Sequence, residues 1–258
     1  YPMIKLAKGT SLWGRDYLTA GILVGLLFAA EFFLVAQALR FTSAAHTVVL
    51  LYTAPIFVAL GLHWKLPSER LSLIQWLGIA CAFFGIVIAF LFRPASSQAA
   101  ASSALWGDVL ALIAGVLWAA TTIAVRLTKL AEAPATQTLF YQLFIAFLVL
   151  LPVAFFMGQA TIHWSVLSLT SLLFHTVVVS FASYLIWFWL LKKYLASQLG
   201  VFSFLTPIFG MCFGVVLLNE QLELNFLVGT CFVLMGVMVV SLHHKIKQYA
   251  QAFKMALQ

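Results

Sequence analysis

Eight apolar runs partition this chain: residues 17–39, 44–62, 72–92, 107–125, 138–157, 169–191, 197–218 and 225–242. Each is about 17–23 residues long, which is what a helix needs to cross roughly 30 Å of hydrocarbon. Backbone polar groups find no water there, so only helices or a closed β-barrel can span. Leu, Phe, Ala and Val fill the runs without sustained period-2 alternation. The reading is therefore an all-α integral membrane protein with eight transmembrane helices, lettered a to h. A chain that is 64% hydrophobic and 8% charged lacks the polar skin of a soluble domain.

The net charge of +7 invites a nucleic-acid reading, but the positions of the charges reject it. Eight crossings bring both termini to one side. That side holds Lys5, Lys8, Arg15, Lys65, Arg70, Arg126, Lys129, Lys192, Lys193, Lys245, Lys247 and Lys254, leaving Arg40 and Arg93 opposite. This positive-inside bias predicts cytoplasmic termini and a lipid bilayer, not nucleic acid, as partner. Cys81, Cys212 and Cys231 all fall inside spans, with neither zinc-site nor disulfide spacing, and no cofactor or metal is expected.

The chain also repeats part of itself. Pro55-Ile56-Phe57 recurs as Pro207-Ile208-Phe209 at an offset of 152. Glu69, Leu71, Gly78 and Gly85 recur as Glu220, Leu222, Gly229 and Gly236 at an offset of 151. Spans b and g, which carry the two PIF motifs, are five crossings apart, so the copies run oppositely through the membrane. That is the inverted repeat of several transporter folds. Spans a, b and c then match f, g and h, while d and e lack partners. Two further spans are expected before residue 1, giving five plus five. The halves divide as 1–95, a partial repeat of three spans, and 96–258, a repeat of five. The Ala/Ser-rich stretch 93–106 between them reads as a flexible linker. Ser72 and Gln75 have capping-box spacing. Gly78, Gly85, Gly229 and Gly236 suit either close packing within the chain or a homodimer seam through spans c and h.

These residues carry a family resemblance. LRFTSAAHTVVLLYTAPIFVALG followed by ERLSLIQWLGIACAFFGIVIAF resembles the first repeat of the EamA family, in the drug/metabolite transporter superfamily. GDVLALIAGVLWAATTIAVRLTK resembles the helix opening its second repeat, and LTPIFGMCFGVVLLNEQL its later signature. The resemblance implies ten spans, cytoplasmic termini in a bacterial inner membrane, and a central cavity between the repeats. It also implies export or exchange of small metabolites such as amino acids. In the family the opening helix lines the cavity, so a wall is expected from outside these 258 residues.

Glu31 is the one acid well inside a span, about 21 Å along helix a. A carboxylate in hydrocarbon is turned to a cavity, paired or protonated. Such a group can carry a proton, bind an amino group, or act as structural glue between helices. Tyr52, Trp118, Thr122, Gln142, Ser183 and Tyr184 join it as cavity-lining, substrate-binding candidates; Ser183 is the counterpart of Glu31 at the 152 offset. Pro55 and Pro207 predict matched helix kinks that serve rocking between two access states. Asp108 reads as a helix N-terminal acid, and His46 and His175 as interfacial residues.

No Walker A, HExxH or GxSxG motif is present, so neither an ATP-driven pump nor an intramembrane enzyme is expected. Two readings stand: a secondary transporter of small organic metabolites working by alternating access, coupled to protons through Glu31, and a non-transporting membrane scaffold or sensor subunit.

Overall fold

The computed structural model describes residues 15–66, 70–91, 98–161, 164–183, 186 and 205–256, and their regular structure is all helical. The helices are α1 (Arg15–Ala38), α2 (Ala44–Leu51), α3 (Ala54–Lys65), α4 (Leu73–Leu91), α5 (Gln98–Leu127), α6 (Ala135–Phe156), α7 (Val166–Leu173), α8 (Leu205–Leu218) and α9 (Leu224–Ala256). Among the described residues, four segments are long and apolar enough to cross a membrane: Tyr17–Ala38, Ala44–Lys65, Ser102–Leu127 and Thr136–Phe156. Four shorter apolar helices, Leu73–Ala89, Val166–Val179, Leu205–Leu218 and Leu224–Val240, lie within or across the remaining runs. Large apolar side chains face outward, among them Phe83, Phe84 and Val87 on α4 and Phe144, Phe147 and Leu148 on α6. In water such a surface would be a liability; against lipid tails it is the expected coat.

The chain forms two compact units, one of Tyr1–Leu150 with Pro207–Gln258 and one of Leu151–Thr206. In the first unit, small residues let the helices approach and fix their senses. Gly21 lies against Tyr141 and Gly25 against Ile145, so α1 and α6 run parallel. Gly115 sits under the carbonyls of Leu50 and Leu51 and Gly61 against Ile123, so α5 runs parallel to α2 and α3. Val48 meets Gly210 and Ala45 meets Gly214, making α2 and α8 antiparallel. Each sense is the one that alternating crossings demand.

The tightest seam joins α4 to α9. Gly78 lies on the Gly236 carbonyl and Gly85 on the Gly229 carbonyl, an antiparallel pair. Shifting by the repeat offset of 151 turns each of these contacts into the other. Gln75 Nε2 donates to Val240 O at 3.1 Å, and Phe84 meets Phe232 edge-on at 5.4 Å. Of the two uses open to these glycines, the structure has packing within the chain, and both glycine faces are buried by it.

Several elements differ from the sequence reading, each for a local reason. Span b is two helices: Tyr52 and Thr53 form a turn, and Pro55 stands in the first turn of α3 instead of kinking a continuous helix. Proline supplies no N–H to residue 51, and it is well tolerated where a helix begins. The Thr53 hydroxyl seals the break by donating to Leu50 O at 2.6 Å. Residues 98–106, read as linker, belong to α5, since the alanines there favour helix strongly. Asp108 is consequently mid-helix, not an N-terminal acid. α9 continues through the basic residues after 242 to Ala256. Pro207 is the third residue of α8, and 187–204 lie outside the described residues, as does any kink there. The capping box is present: Ser72 N donates to Gln75 Oε1 at 3.0 Å and Gln75 N to Ser72 Oγ at 3.4 Å.

In the second unit, Gly158 (φ 66) ends α6, with Gln159 N donating to Ala154 O at 2.9 Å. Ser165 and Ser168 cap α7, which widens into a π-wound stretch, Phe174–Ala182.

Candidate functional site

Glu31 lies in the buried stripe of α1 with Ala20, Val24 and Ala38. It is 6% exposed, and its Oε2 has no hydrogen-bond partner among the described residues. α1 packs along α5, bracketed at one end by Gly107 on Phe41 and Thr42. The other end is the cluster of Val24 with Ala124 and Val125. This antiparallel register sets Glu31 level with the turn Leu117–Trp118. Trp118 in turn meets Tyr52 edge-on, ring centroids 5.2 Å apart, where α2 breaks from α3. Three of the sequence candidates, Glu31, Tyr52 and Trp118, thus share one level of the first unit. That level holds a buried carboxyl with an oxygen unbonded among the described residues, and two half-buried rings.

The other candidates fare differently. Thr122 is exposed, and its hydroxyl donates to Trp118 O at 3.1 Å, one turn back on its own helix. Ser183, in the second unit, is exposed and bonds Val179 O in the same way. In both, the hydroxyl spends its one proton on the backbone of its own helix and keeps only acceptor capacity. Gln142 is half-buried on α6. Tyr184 lies outside the described residues. His175 is exposed, Nδ1 3.1 Å from Ser171 O.

A second polar centre gathers at the start of α2. Asp108 is wholly buried; it accepts from the Thr42 hydroxyl, and His46 Nδ1 is 3.2 Å from its Oδ1 and 3.3 Å from its Oδ2. His46 is 6% exposed and stacked on the Phe226 ring, centroids 3.8 Å apart and planes 8° from parallel. Ser43 caps α2, its Oγ accepting from His46 N at 3.1 Å. Glu220 completes the end: its Oε1 accepts from Ala44 N at 2.7 Å and its Oε2 from Ala45 N at 3.1 Å. Asn219, at φ 53, turns the chain after α8 and brings Glu220 back over Gly214. The carboxylate meets the positive end of the α2 dipole and satisfies two of its open N–H groups.

Sequence reasoning passed over this centre. One signal was available: Glu220 stands in the same repeat position as Glu69, in the loop that follows the PIF-bearing run in each copy. Gln137 was also passed over; it is wholly buried, with neither amide atom bonded among the described residues.

Comparison with known proteins fits this arrangement. The EamA-like transporter family matches residues 2–91 and 105–242. An uncharacterized transporter of Bacillus subtilis (strain 168), YoaV, is 25% identical over 224 residues, 86% of this chain and 74% of that protein. A probable amino-acid metabolite efflux pump of Salmonella typhimurium (strain LT2) is 26% identical over 227 residues, 83% of this chain and 73% of that one. A solved crystal structure, 21% identical, shares the fold with a TM-score of 0.58 over 92% of this chain and 81% of its own. With both matched stretches covering most of its length and long apolar helices between them, the chain is a multi-pass membrane protein that belongs to the EamA-like transporter family.

Proposed function

We propose that this protein is a secondary transporter that exports small organic metabolites, amino acids among them, across a bacterial inner membrane by alternating access. Its halves are an inverted repeat, 1–95 and 96–258, with both termini cytoplasmic. The solute is held at the level of Glu31, Tyr52 and Trp118, and Glu31 exchanges a proton with it during the cycle. The observation that carries this reading is the Glu31 carboxyl, buried in the bundle with an unbonded oxygen and level with an aromatic pair at a helix break. A carboxyl serving only as glue between helices would have both oxygens engaged. The mutual exchange of the Gly78–Gly236 and Gly85–Gly229 contacts under the repeat offset supports the two-fold relation of the halves. The name of the Salmonella relative supports the amino-acid class.

The test uses the full-length natural protein in proteoliposomes with a mixture of radiolabelled L-amino acids. Wild type is expected to move label, faster with an imposed proton gradient. Glu31→Gln should lose that stimulation by about tenfold or more, the effect of about 1.4 kcal/mol on the coupled step. Gradient stimulation that survives in Glu31→Gln refutes the coupling role. Label movement no faster than in empty liposomes favours a scaffold over a transporter.

A further inference from the structure

We propose that α2 is the moving gate of the transport cycle and that Asp108 and Glu220 are the positioning residues that set its closed position. The inference rests on the transporter reading above. It starts from how unusually α2 is held. This helix has eight residues and is cut from α3 by the turn at Tyr52 and Thr53. Both turn residues have ordinary dihedrals, φ −76 and ψ 7 at Tyr52 and φ −75 and ψ −10 at Thr53. A hinge needs only a few such residues at the end of an element.

The flanks of α2 meet glycine. Gly115 of α5 underlies the Leu50 and Leu51 carbonyls, and Gly210 and Gly214 of α8 face Val48 and Ala45. Helices that interlock large side chains must unlock them to move, whereas glycine faces present no knobs. Besides the burial of Ala45, Val49 and Leu50, α2 is held by polar contacts at its N-terminal end: the Glu220 carboxylate on the Ala44 and Ala45 amides, and Asp108 on Thr42 and His46. Charge-assisted hydrogen bonds are directional and strong, and water can replace them one for one when the end swings out.

The grip also crosses the two family matches. α2 lies in residues 2–91, while Asp108, Glu220 and Phe226 all lie in 105–242. Motion of one half against the other must therefore either carry α2 along or release it. The break at Tyr52 and Thr53 lets it be released. The same break adjoins Trp118, so displacement of α2 opens the Glu31 level toward the end of the bundle where Asp108 lies.

The closing experiment is a reversible lock. A Cβ built on Gly210 lies 3.3 Å from Val48 Cβ, close enough for a disulfide with slight adjustment. Val48→Cys with Gly210→Cys is made in the full-length protein, with Cys81, Cys212 and Cys231 replaced by Ser. Transport of the labelled amino-acid mixture is measured oxidised and after dithiothreitol. Oxidation should cut transport about tenfold or more, and reduction should restore it. A fully cross-linked protein that transports at its reduced rate overturns the gate.

A second measurement isolates the positioning residues. In Asp108→Asn and Glu220→Gln, amide hydrogen exchange over Ala44–Leu51 should quicken about tenfold while the α4–α9 seam is unchanged. Unchanged exchange over α2, or equal acceleration throughout, overturns their assignment. If wild type and the reduced double variant both move no label, the transporter reading fails and the gate with it. Exchange over α2 reports in that case only whether the two carboxylates hold the helix.

Discussion

Alanine at Gly85 tests whether the α4–α9 seam is a structural joint of the monomer. A Cβ there would stand 2.5 Å from Gly229 O and 2.8 Å from Val233 N, both backbone atoms that cannot rotate away. Ordinary contact requires the helices to part by roughly 1 Å, and a gap of that size forfeits a quarter to a half of each pairwise attraction along the seam. Overpacking of this kind costs about 1–3 kcal/mol, from which helix propensity returns about 0.5–1 kcal/mol when glycine becomes alanine. The middle of these ranges leaves a net loss of about 1 kcal/mol, or roughly 2–4 °C in Tm for a chain of this size. Gly229→Ala makes the repeat-related contact, a Cβ 2.5 Å from Gly85 O, and should cost the same to within about 0.5 kcal/mol. The double variant should cost less than the sum, because one outward shift relieves both clashes. Cys81 gives the readout once the exposed Cys212 and Cys231 are replaced by Ser: its Sγ donates to Phe232 O at 3.5 Å across the seam, so a thiol-reactive fluorophore reports the opening during a thermal ramp in detergent. Ala80→Leu, on the exposed side of α4, is the control and should change little. A Gly85→Ala protein as stable as wild type, or strict additivity with Gly229→Ala, refutes the close-contact reasoning. A shift in the monomer–dimer balance at constant Tm would return these glycines to a homodimer seam.

Two further outcomes follow from buried and capping polar groups. Gln75→Ala removes both the capping-box acceptor and the bond to Val240 O, and thermal unfolding should show a loss of about 1–2 kcal/mol that Gln75→Glu recovers only in part. Gln137→Met replaces an unbonded buried amide with an apolar chain of similar volume, so Tm should hold or rise by up to about 2 kcal/mol equivalent; a marked fall would mean that the amide is engaged.

What the sequence made legible is what depends on local periodicity. Run length marked the apolar helices, four of them long enough to cross a membrane, the Ser72–Gln75 spacing marked the start of α4, and the recurring glycines marked a close seam. Glu31 was legible because an acid inside an apolar run stands out against its neighbours. The errors came where a second local force competed with the first. The alanines at 98–106 were weighed as linker composition, although alanine is also the strongest helix former. Pro55 was weighed as an interruption within a helix, but a proline also starts helices well, and Thr53 was at hand to close the gap before it. Thr122 and Ser183 were weighed by polarity, which does not reveal that each hydroxyl donates its proton to its own backbone.

The centre at α2 was hidden for a different reason. His46 and Asp108 are 62 residues apart and Ala44 and Glu220 are 176, and no periodicity within one chain encodes which acid meets which helix end. Each partner taken alone has a duller reading: a cap, an interfacial histidine, a loop acid. Only the fold joins them, and it does so at the N-terminal end of α2, whose flank rests on Gly210 and Gly214. A short helix resting on glycine needs a directional grip at its end, and two carboxylates and a ring stack supply one. The same features that make α2 hard to read from sequence, a broken helix and distant polar partners, are those a gate requires: a hinge that local sequence permits and a hold that the other half of the chain can withdraw.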